Sequence, residues 1–348
     1  MKVLLTGISG FVGHHIFQHI MKNTDWTVLG MHRNSMAGDI ERLHEIMYQF
    51  SGADEKILMS DWQKRSHFLH YDLRDPMSVR FKQIWLEDID LVLHVAANSH
   101  VDRSIADPKR FLRDNVEGTL NLMEAFRGNK RLQKFIYFST DEVYGNAPNN
   151  IDPDESFPHR PRNPYAASKA AAEDFANAYR VTYGLPIIIT NTMNIVGERQ
   201  NPEKYVPLII NKLLSGEVLE IHAYPNKERA GSRHYLHARN AAAALLFVAE
   251  HGKIGERYNI VGEVEIDNDY LARTVASYVN TWRKEHNLPE LELKYELVDF
   301  AVSRPGHDLR YALSGTKLKE LGYEHPIGFW ESLRKTVYWT LEHADRWL

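Results

Sequence analysis

Short apolar runs alternate with longer amphipathic segments through the first half of the chain. The runs are rich in β-branched and aromatic residues and predict strands at 2–6, 26–31, 67–71, 91–95, 134–139 and 187–190. Between them, segments such as 12–22 and 115–127 repeat apolar residues with helical spacing. Repeated strand and helix units of this kind predict an α/β fold built on a parallel sheet.

This rhythm changes after Asn191, where Pro- and Gly-containing stretches at 201–202, 224–227 and 304–306 divide the chain into shorter pieces. We therefore predict a first domain at 1–194 and a smaller lobe at 195–348 that is interleaved with returns to the main sheet. The segment 39–66 is longer than a strand-to-strand crossover requires, and its helical pattern predicts an additional surface helix.

The composition is that of an ordinary globular protein, because 43% of the 348 residues are hydrophobic and 25% are charged. The formal net charge of −4 gives no electrostatic reason to expect nucleic acid or an anionic membrane as a partner. The chain has no cysteine, so it has neither disulfides nor a thiolate metal site, and we expect no metal. No apolar run reaches the roughly 20 residues of a membrane span, and no signal-peptide pattern opens the chain, so we expect a cytoplasmic location.

A glycine-rich turn follows the first predicted strand directly and opens a helix. Glycines at these spacings allow a tight turn, a close approach of a pyrophosphate to backbone N–H groups, and close packing of the helix on the sheet. The turn predicts a Rossmann-type, doubly wound sheet that binds a dinucleotide. Its predicted contacts are Gly7, Gly10, Phe11, Val12 and Gly13.

The identity of the dinucleotide is read from the tip of the second strand, which should carry an acid for NAD or a cation for the 2′-phosphate of NADP. The tip carries no acid but has Arg33, which favours NADP over NAD. After the next strand, Asp72 and Leu73 are placed to grip the adenine. Ala96 and Ala97, at a further strand end, are small enough for the backbone to lie against a flat cofactor.

Two carboxylates and a Tyr/Lys pair are the most informative chemical feature of the chain. Asp141 and Glu142 follow a buried strand, at the edge where open α/β sheets bind ligands. Tyr165 and Lys169 lie four residues apart in an alanine-rich helical segment and project from one face. Together these groups can support a redox step and proton transfers in one pocket.

The order of these motifs resembles the extended short-chain dehydrogenase/reductase family, and within it the nucleotide-sugar 4,6-dehydratases of the dTDP-glucose type. The similarity runs nearly end to end. It is carried by the glycine turn and by the sequences HVAANSHVDRS, STDEVYG, YAASK, NTMNIVG, NPEK and RPGHDLRY. The triplet Thr140-Asp141-Glu142 is its most specific part, because epimerases usually carry small hydroxyl residues there and decarboxylases typically have serine in place of the aspartate.

The chemistry expected of these residues is an internal oxidation and reduction. Lys169 is expected to lower the pKa of Tyr165, so that a phenolate removes the hydroxyl proton at sugar carbon 4. Glu142 is the expected base for the proton on carbon 5, and Asp141, kept protonated, the acid for the carbon 6 hydroxyl. Thr140 is expected to orient the sugar near carbon 4.

The resemblance also implies substrate contacts and an assembly. Guanidinium groups suit bidentate recognition of a diphosphate. The implied substrate-binding residues are Asn98, Ser99, Asn194, Lys204, Arg233, Asn268, Arg304 and His307. It further implies a homodimer with a four-helix interface, formed by the helix that bears Tyr165 and Lys169 together with the helix at 115–127.

Three departures from the dTDP-glucose pattern keep other readings open. His32-Arg33 replaces the strand-tip acid, Asn98 replaces an acid in the sugar pocket, and Ser-Arg-His-Tyr at 232–235 replaces an Arg-Asp-Trp pattern. The alternatives are a GDP-mannose, CDP-glucose or UDP-glucose 4,6-dehydratase, then a nucleotide-sugar epimerase or decarboxylase, and last a catalytically silent NADP-sensing protein. The silent protein would be expected to lack Tyr165 or Lys169, and both are present.

Overall fold

Seven parallel strands form the central sheet of the protein, whose computed structural model describes residues 1–33, 38–48, 61–148, 150–299, 306 and 308–348. The strands are β1 Lys2–Thr6, β2 Thr27–His32, β3 Ser66–His70, β4 Leu91–His94, β5 Lys134–Thr140, β6 Ile187–Thr192, β7 Ile195–Val196, β8 Leu219–Ala223, β9 Ser232–His234, β10 Leu236–His237, β11 Arg257–Ile260, β12 Glu265–Asp267, β13 Tyr295–Asp299 and β14 Arg310–Tyr311. The order in the central sheet is β11-β6-β5-β4-β1-β2-β3. This order winds outward in both directions from β1, so the predicted doubly wound parallel sheet is confirmed.

Helices cover both faces of this sheet and fill the C-terminal lobe. Their bounds are α1 Phe11–Asn23, α2 Glu41–Tyr48, α3 Val79–Trp85, α4 Val101–Ala106, α5 Pro108–Phe111, α6 Gly118–Phe126, α7 Pro164–Tyr183, α8 Tyr205–Ser215, α9 Ala238–His251, α10 Asn268–Glu285, α11 Thr316–Glu320, α12 Phe329–Glu342 and α13 Ala344–Trp347. A π-helical turn, Leu112–Glu117, leads into α6, and a 3-10 turn, Asp141–Tyr144, follows β5.

All six predicted strands of the first half are present, and no end differs from its prediction by more than two residues. The additional helix predicted within 39–66 is represented by α2, which buries Leu43, Ile46 and Met47 against the core and so is more than a surface helix. Residues 49–60 of that segment lie outside the described part of the chain.

The sheet is packed between two hydrophobic layers. On one face α1 and α9 contribute residues such as Phe17 and Leu245, and on the other α6 and α7 contribute residues such as Phe126 and Ala176. The alanines of α7 bring its backbone close to the sheet. The Asn163 side chain caps the start of α7 by accepting from the Ala166 N–H, and Gly184 ends it with a φ of 70°.

The C-terminal half contains a second core formed mainly by α8, α10 and α12. It also returns to the central sheet, because β11 pairs with β6 in parallel. The domain boundary at residue 194 stays a prediction. Within the ranges given above, no helix combines the length and the apolar character needed to cross a membrane.

Candidate active site

A cavity of about 930 Å³ lies at the carboxyl ends of the central strands, where the strand order reverses beside β1. Most of the residues predicted to bind cofactor or substrate line it. They are Gly7, Gly10, Phe11, Val12, Gly13, Arg33, Asp72, Leu73, Ala96, Ala97, Asn98, Ser99, Thr140, Asp141, Glu142, Tyr165, Lys169, Asn194, Lys204, Arg233 and Asn268. The other two, Arg304 and His307, lie outside the described residues.

The glycine turn packs too closely against its neighbours to admit a side chain at Gly7 or Gly13. Gly7 has a φ of 72°, and a Cβ on it would lie 2.8 Å from the Ala96 backbone. A Cβ on Gly13 would lie 2.0 Å from the carbonyl oxygen of Gly7. This close packing places the bare backbone of the turn and the start of α1 at the cavity wall, as a pyrophosphate cradle requires, and the lining of the cavity fits a dinucleotide.

The tip of β2 carries a cluster of charges that the sequence alone did not reveal. Arg33 donates through Nη1 to Asp72 at 3.1 Å and to Asp114 at 3.1 Å. Arg74 also donates to Asp72, at 2.6 Å. The hydrogen bonds from Arg74, followed by those from Arg33, hold the pKa of Asp72 well below its usual range. Asp114 lines the cavity here, but its position far along the chain gave no signal of this role.

Asp141 is a buried carboxyl group whose surroundings disfavour its charged form. It lies in the 3-10 turn after β5, with Thr140 Oγ1 donating to its Oδ1 at 2.9 Å, and is 5% exposed. Burial, together with the neighbouring charge of Glu142, raises the pKa of Asp141 to about 8. Its Oδ2 is buried without a hydrogen-bond partner in the described structure, so it can bond to a ligand bound in the cavity.

Glu142 is oriented by the loop that starts α7. Asn163 Nδ2 donates to Glu142 Oε2 at 2.9 Å, while the Asn163 Oδ1 caps the helix. A further carboxyl group, Asp308, is buried nearby and accepts from Arg162 Nη1 at 3.1 Å. Burial and then the charge of Glu142 raise the pKa of Asp308 to about 7. Neither Asn163 nor Asp308 was among the predicted site residues.

The Tyr/Lys pair is present as predicted, but its electrostatics differ from the prediction. Lys169 Nζ donates to the Phe138 carbonyl at 2.8 Å and lies 4.1 Å from the centre of the Tyr137 ring. Burial lowers the pKa of Lys169 to about 7, and burial, with the nearby Glu142, raises the pKa of Tyr165. The pKa of Tyr165 is therefore raised rather than lowered as expected, because desolvation of the phenol and the charge of Glu142 disfavour the phenolate.

The far end of the cavity is built by the C-terminal lobe around Arg233. Its Nη1 donates to Asn268 Oδ1 at 3.2 Å, and its guanidinium lies 4.6 Å from the centre of the Tyr311 ring. Tyr235 also donates to Asn268, at 2.7 Å. This aromatic setting was not predicted, although a flat base and a diphosphate both suit it.

Among the residues that the structure describes, one group of side chains has the spacing of a metal site, namely Asp152, His234 and Glu265. Arg310 already lies among its carboxylates, with Nη2 2.6 Å from Asp152 and 2.8 Å from Glu265. The guanidinium supplies the positive charge there, so the group is explained as a network of ion pairs.

The parallel sheet, the glycine turn and the buried Tyr/Lys pair define the class of extended short-chain dehydrogenases and reductases. A family model described as GDP-mannose 4,6 dehydratase matches residues 4–336, and the chain belongs to that family. The resemblance drawn from the sequence is thereby confirmed.

The individual relatives of this chain include dTDP-glucose 4,6-dehydratases. The chain is 34% identical to the dTDP-glucose 4,6-dehydratase of Shigella flexneri, over 99% of this chain and 94% of the relative. It is 35% identical to that of Neisseria gonorrhoeae, over 99% and 97% respectively. Among solved structures, a double mutant of the dTDP-glucose 4,6-dehydratase from Streptomyces venezuelae with NAD bound is similar, with a TM-score of 0.84, 31% identity and coverage of 100% and 99%.

Epimerases share the fold as well. The UDP-glucose 4-epimerase of Thermus thermophilus, in complex with NAD, has a TM-score of 0.78 and 26% identity, with coverage of 97% of this chain and 98% of that one. The fold alone therefore does not separate dehydration from epimerisation, and the separation depends on the side chains at the ends of the strands.

Proposed function

We propose that this protein is a nucleotide-sugar 4,6-dehydratase that converts dTDP-glucose to the 4-keto-6-deoxy sugar nucleotide with loss of water. The observation that carries this proposal is the buried pair Asp141 and Glu142 beside Tyr165 and Lys169 in one cavity. An epimerase or decarboxylase needs the Tyr/Lys pair but has no need for an acid and a base side by side.

A nicotinamide cofactor fits the cradle made by the glycine turn, and when bound it supplies the acceptor for the carbon 4 hydride and its return to carbon 6. Tyr165 takes the proton of the carbon 4 hydroxyl. Because burial raises the pKa of Tyr165, its phenolate needs a positive partner, and Lys169 on the same helix supplies an ammonium. Thr140, whose hydroxyl donates to Asp141, orients the sugar near carbon 4.

Dehydration follows from the two carboxyl groups. Once carbon 4 is a ketone, the hydrogen on carbon 5 is acidic, and Glu142 accepts it as a proton. Asp141, whose pKa of about 8 keeps it protonated at neutral pH, gives its proton to the carbon 6 hydroxyl, which leaves as water. Glu142 returns a proton to carbon 5 as hydride returns to carbon 6. The proton taken by Tyr165 offsets the one given by Asp141, so the reaction consumes no net proton or hydride.

Mass spectrometry in heavy water tests this function. We expect dTDP-glucose to lose one water and to gain one solvent deuterium at carbon 5, because the proton on Glu142 exchanges with solvent. GDP-mannose, CDP-glucose and UDP-glucose incubated in parallel serve as the matched substrates. Turnover of one of these instead of dTDP-glucose would show that the enzyme acts on a different sugar nucleotide. Formation of an isomer of unchanged mass would contradict dehydration.

The preference for NADP over NAD remains a proposal, and it depends on Arg33. In its support, Arg33 and Arg74 bring two guanidinium groups to the cavity end where the ribose would lie. Both already bind Asp72, and Arg33 also binds Asp114, so a 2′-phosphate has to replace carboxylate partners.

We expect Arg33→Gln to weaken NADP binding by about tenfold or more, because a charge-assisted contact to the phosphate is lost. The affinity for NAD should change much less, since NAD has no 2′-phosphate. Calorimetric titration of both cofactors into the parent and the variant measures this difference. Tight NAD binding in the parent with no measurable NADP binding would assign Arg33 to holding Asp72 and Asp114 instead.

The homodimer and the cytoplasmic location also remain proposals. In support of the dimer, the large apolar side chains Phe175, Val181 and Tyr183 of α7 are exposed. Leu112, in the turn that precedes α6, is similarly exposed.

A further inference from the structure

Glu173 carries a buried carboxylate on α7, one helical turn beyond Lys169. Its side chain is fully enclosed, with an exposed fraction of 0%. One carboxylate oxygen accepts from Asn191 Nδ2 at 2.8 Å. The other lies 2.8 Å from Arg257 Nη2 and 3.1 Å from His159 Nε2. Such a costly burial of charge calls for a role beyond packing.

This carboxylate is connected to the active site although it does not line it. The same Asn191 amide that binds Glu173 also donates to the carbonyl of Thr140 at 3.1 Å. Glu173 borders a second cavity of about 520 Å³, which has no lining residue in common with the first. The proposed reaction needs no net proton, so a proton path through this second cavity is not required.

Lys169 needs a negative charge that its immediate partners do not provide. Its Nζ contacts the neutral carbonyl of Phe138 and the ring of Tyr137. Burial lowers its pKa to about 7, and Glu173 acts in the opposite direction. Without that opposing charge, burial alone would favour the neutral amine near physiological pH.

We propose that Glu173 is a positioning residue that holds Lys169 as an ammonium ion beside Tyr165, with Arg257, His159 and Asn191 fixing the Glu173 carboxylate in place. The proposal rests on the dehydratase function above, because that function requires a charged lysine next to the phenol. It adds to the site a residue that touches neither sugar nor cofactor.

The other titratable groups around Lys169 do not replace this charge. Burial lowers the pKa of His94 to about 3 and raises the pKa of Tyr137, so both are uncharged at neutral pH. The titratable groups near Lys169 are Tyr165 and Glu173, each one turn away on its own helix, and Tyr137 and His94 on the sheet. Among them, Glu173 is the carboxylate that raises the pKa of Lys169.

Trace labelling of lysines with isotopic acetic anhydride across a range of pH tests the proposal directly. Only the neutral amine reacts, so the midpoint of Lys169 labelling, read by peptide mass spectrometry, reports its ionisation in the full-length protein. In Glu173→Gln we expect this midpoint to fall by about one pH unit or more. An unchanged midpoint in a folded variant would overturn the proposal.

Two further variants keep the test decisive if Glu173→Gln does not fold. Glu290→Gln makes the same substitution at an exposed position and should leave the midpoint unchanged. Arg257→Gln removes the cation that offsets Glu173, while Asn191 and His159 still bind the carboxylate, so the midpoint should rise. A purely structural role of Glu173 does not predict that the Lys169 midpoint falls in Glu173→Gln and rises in Arg257→Gln. A fall or no change of the midpoint in Arg257→Gln would contradict the proposal.

The labelling experiment is independent of the proposed reaction because it uses no sugar nucleotide. If dTDP-glucose is not turned over but the midpoint shifts as expected, the proposed function fails and the role of Glu173 stands. If turnover is normal and the midpoint does not move, the proposed function stands and the role of Glu173 fails. A pH profile of turnover then links the two, because the Glu173→Gln defect should deepen as pH rises and shrink in acid.

Discussion

Glu142→Gln is expected to reduce the dehydration of dTDP-glucose by about 100- to 10,000-fold, the usual loss when a general base is removed. Glutamine has nearly the same shape and can still bond to Asn163, which donates to Glu142 Oε2 at 2.9 Å. It cannot accept the proton of carbon 5. Affinity for the cofactor should be unchanged, because the glycine turn and Arg33 are untouched.

Two measurements separate this chemical defect from misfolding. Incorporation of solvent deuterium at carbon 5 should disappear together with water loss, whereas calorimetric binding of NAD should match the parent. Glu290→Gln, which changes an exposed glutamate in the same way, serves as the matched control and should keep full activity. Normal turnover in Glu142→Gln would remove it as the base and direct attention to Asp308, the other buried carboxyl group near it.

The central sheet was predictable because its strands are apolar runs that need no distant partner to be recognised. The exception is β11, whose sequence Arg-Tyr-Asn-Ile reads as polar. In the fold, Arg257 pairs with Glu173, and the Asn259 N–H donates to Glu155 at 2.9 Å. The polar residues of β11 are satisfied by groups about 80 to 100 positions away, and periodicity along the chain does not contain that information.

The residues of the active site likewise fall into two groups, those recognisable from the local sequence and those that only the fold brings together. The glycine turn, the Asp/Glu pair and the Tyr/Lys pair were found because their chemistry is local, within a few residues of a strand end or a helix start. The groups that tune them come from distant segments. Asp114 reaches Arg33 across the cavity edge, and Asn163 and Asp308 surround Glu142. The sign of the Tyr165 pKa shift was missed for this reason, because desolvation depends on the whole fold rather than on one neighbouring lysine.

Asp141→Asn should abolish dehydration and at the same time stabilise the folded protein at alkaline pH. The loss of activity, again about 100-fold or more, follows because asparagine has no acidic proton for the carbon 6 hydroxyl. The gain in stability follows from the burial of Asp141, which raises its pKa from the ordinary 3.8 to about 8. Functional sites often retain such destabilising groups.

The direction of this change in stability follows from the pH range over which Asp141 ionises. Between about pH 4 and pH 8 the unfolded chain has released the Asp141 proton while the folded chain retains it, so the folded state binds more protons. Stability contributed by this group therefore falls as pH rises through that window. Asparagine does not ionise, so the variant should match the parent near pH 4 and exceed it increasingly toward pH 8.

Thermal unfolding of parent and variant across this window measures the difference, which should reach several degrees in the unfolding midpoint at the alkaline end. Asp25→Asn, a substitution of the same kind at an exposed position, should show no such divergence. A variant whose midpoint runs parallel to that of the parent at every pH would mean that Asp141 is ionised in the folded protein. In that case it could not serve as the acid, and the proton for the leaving water would have to come from another group in the cavity.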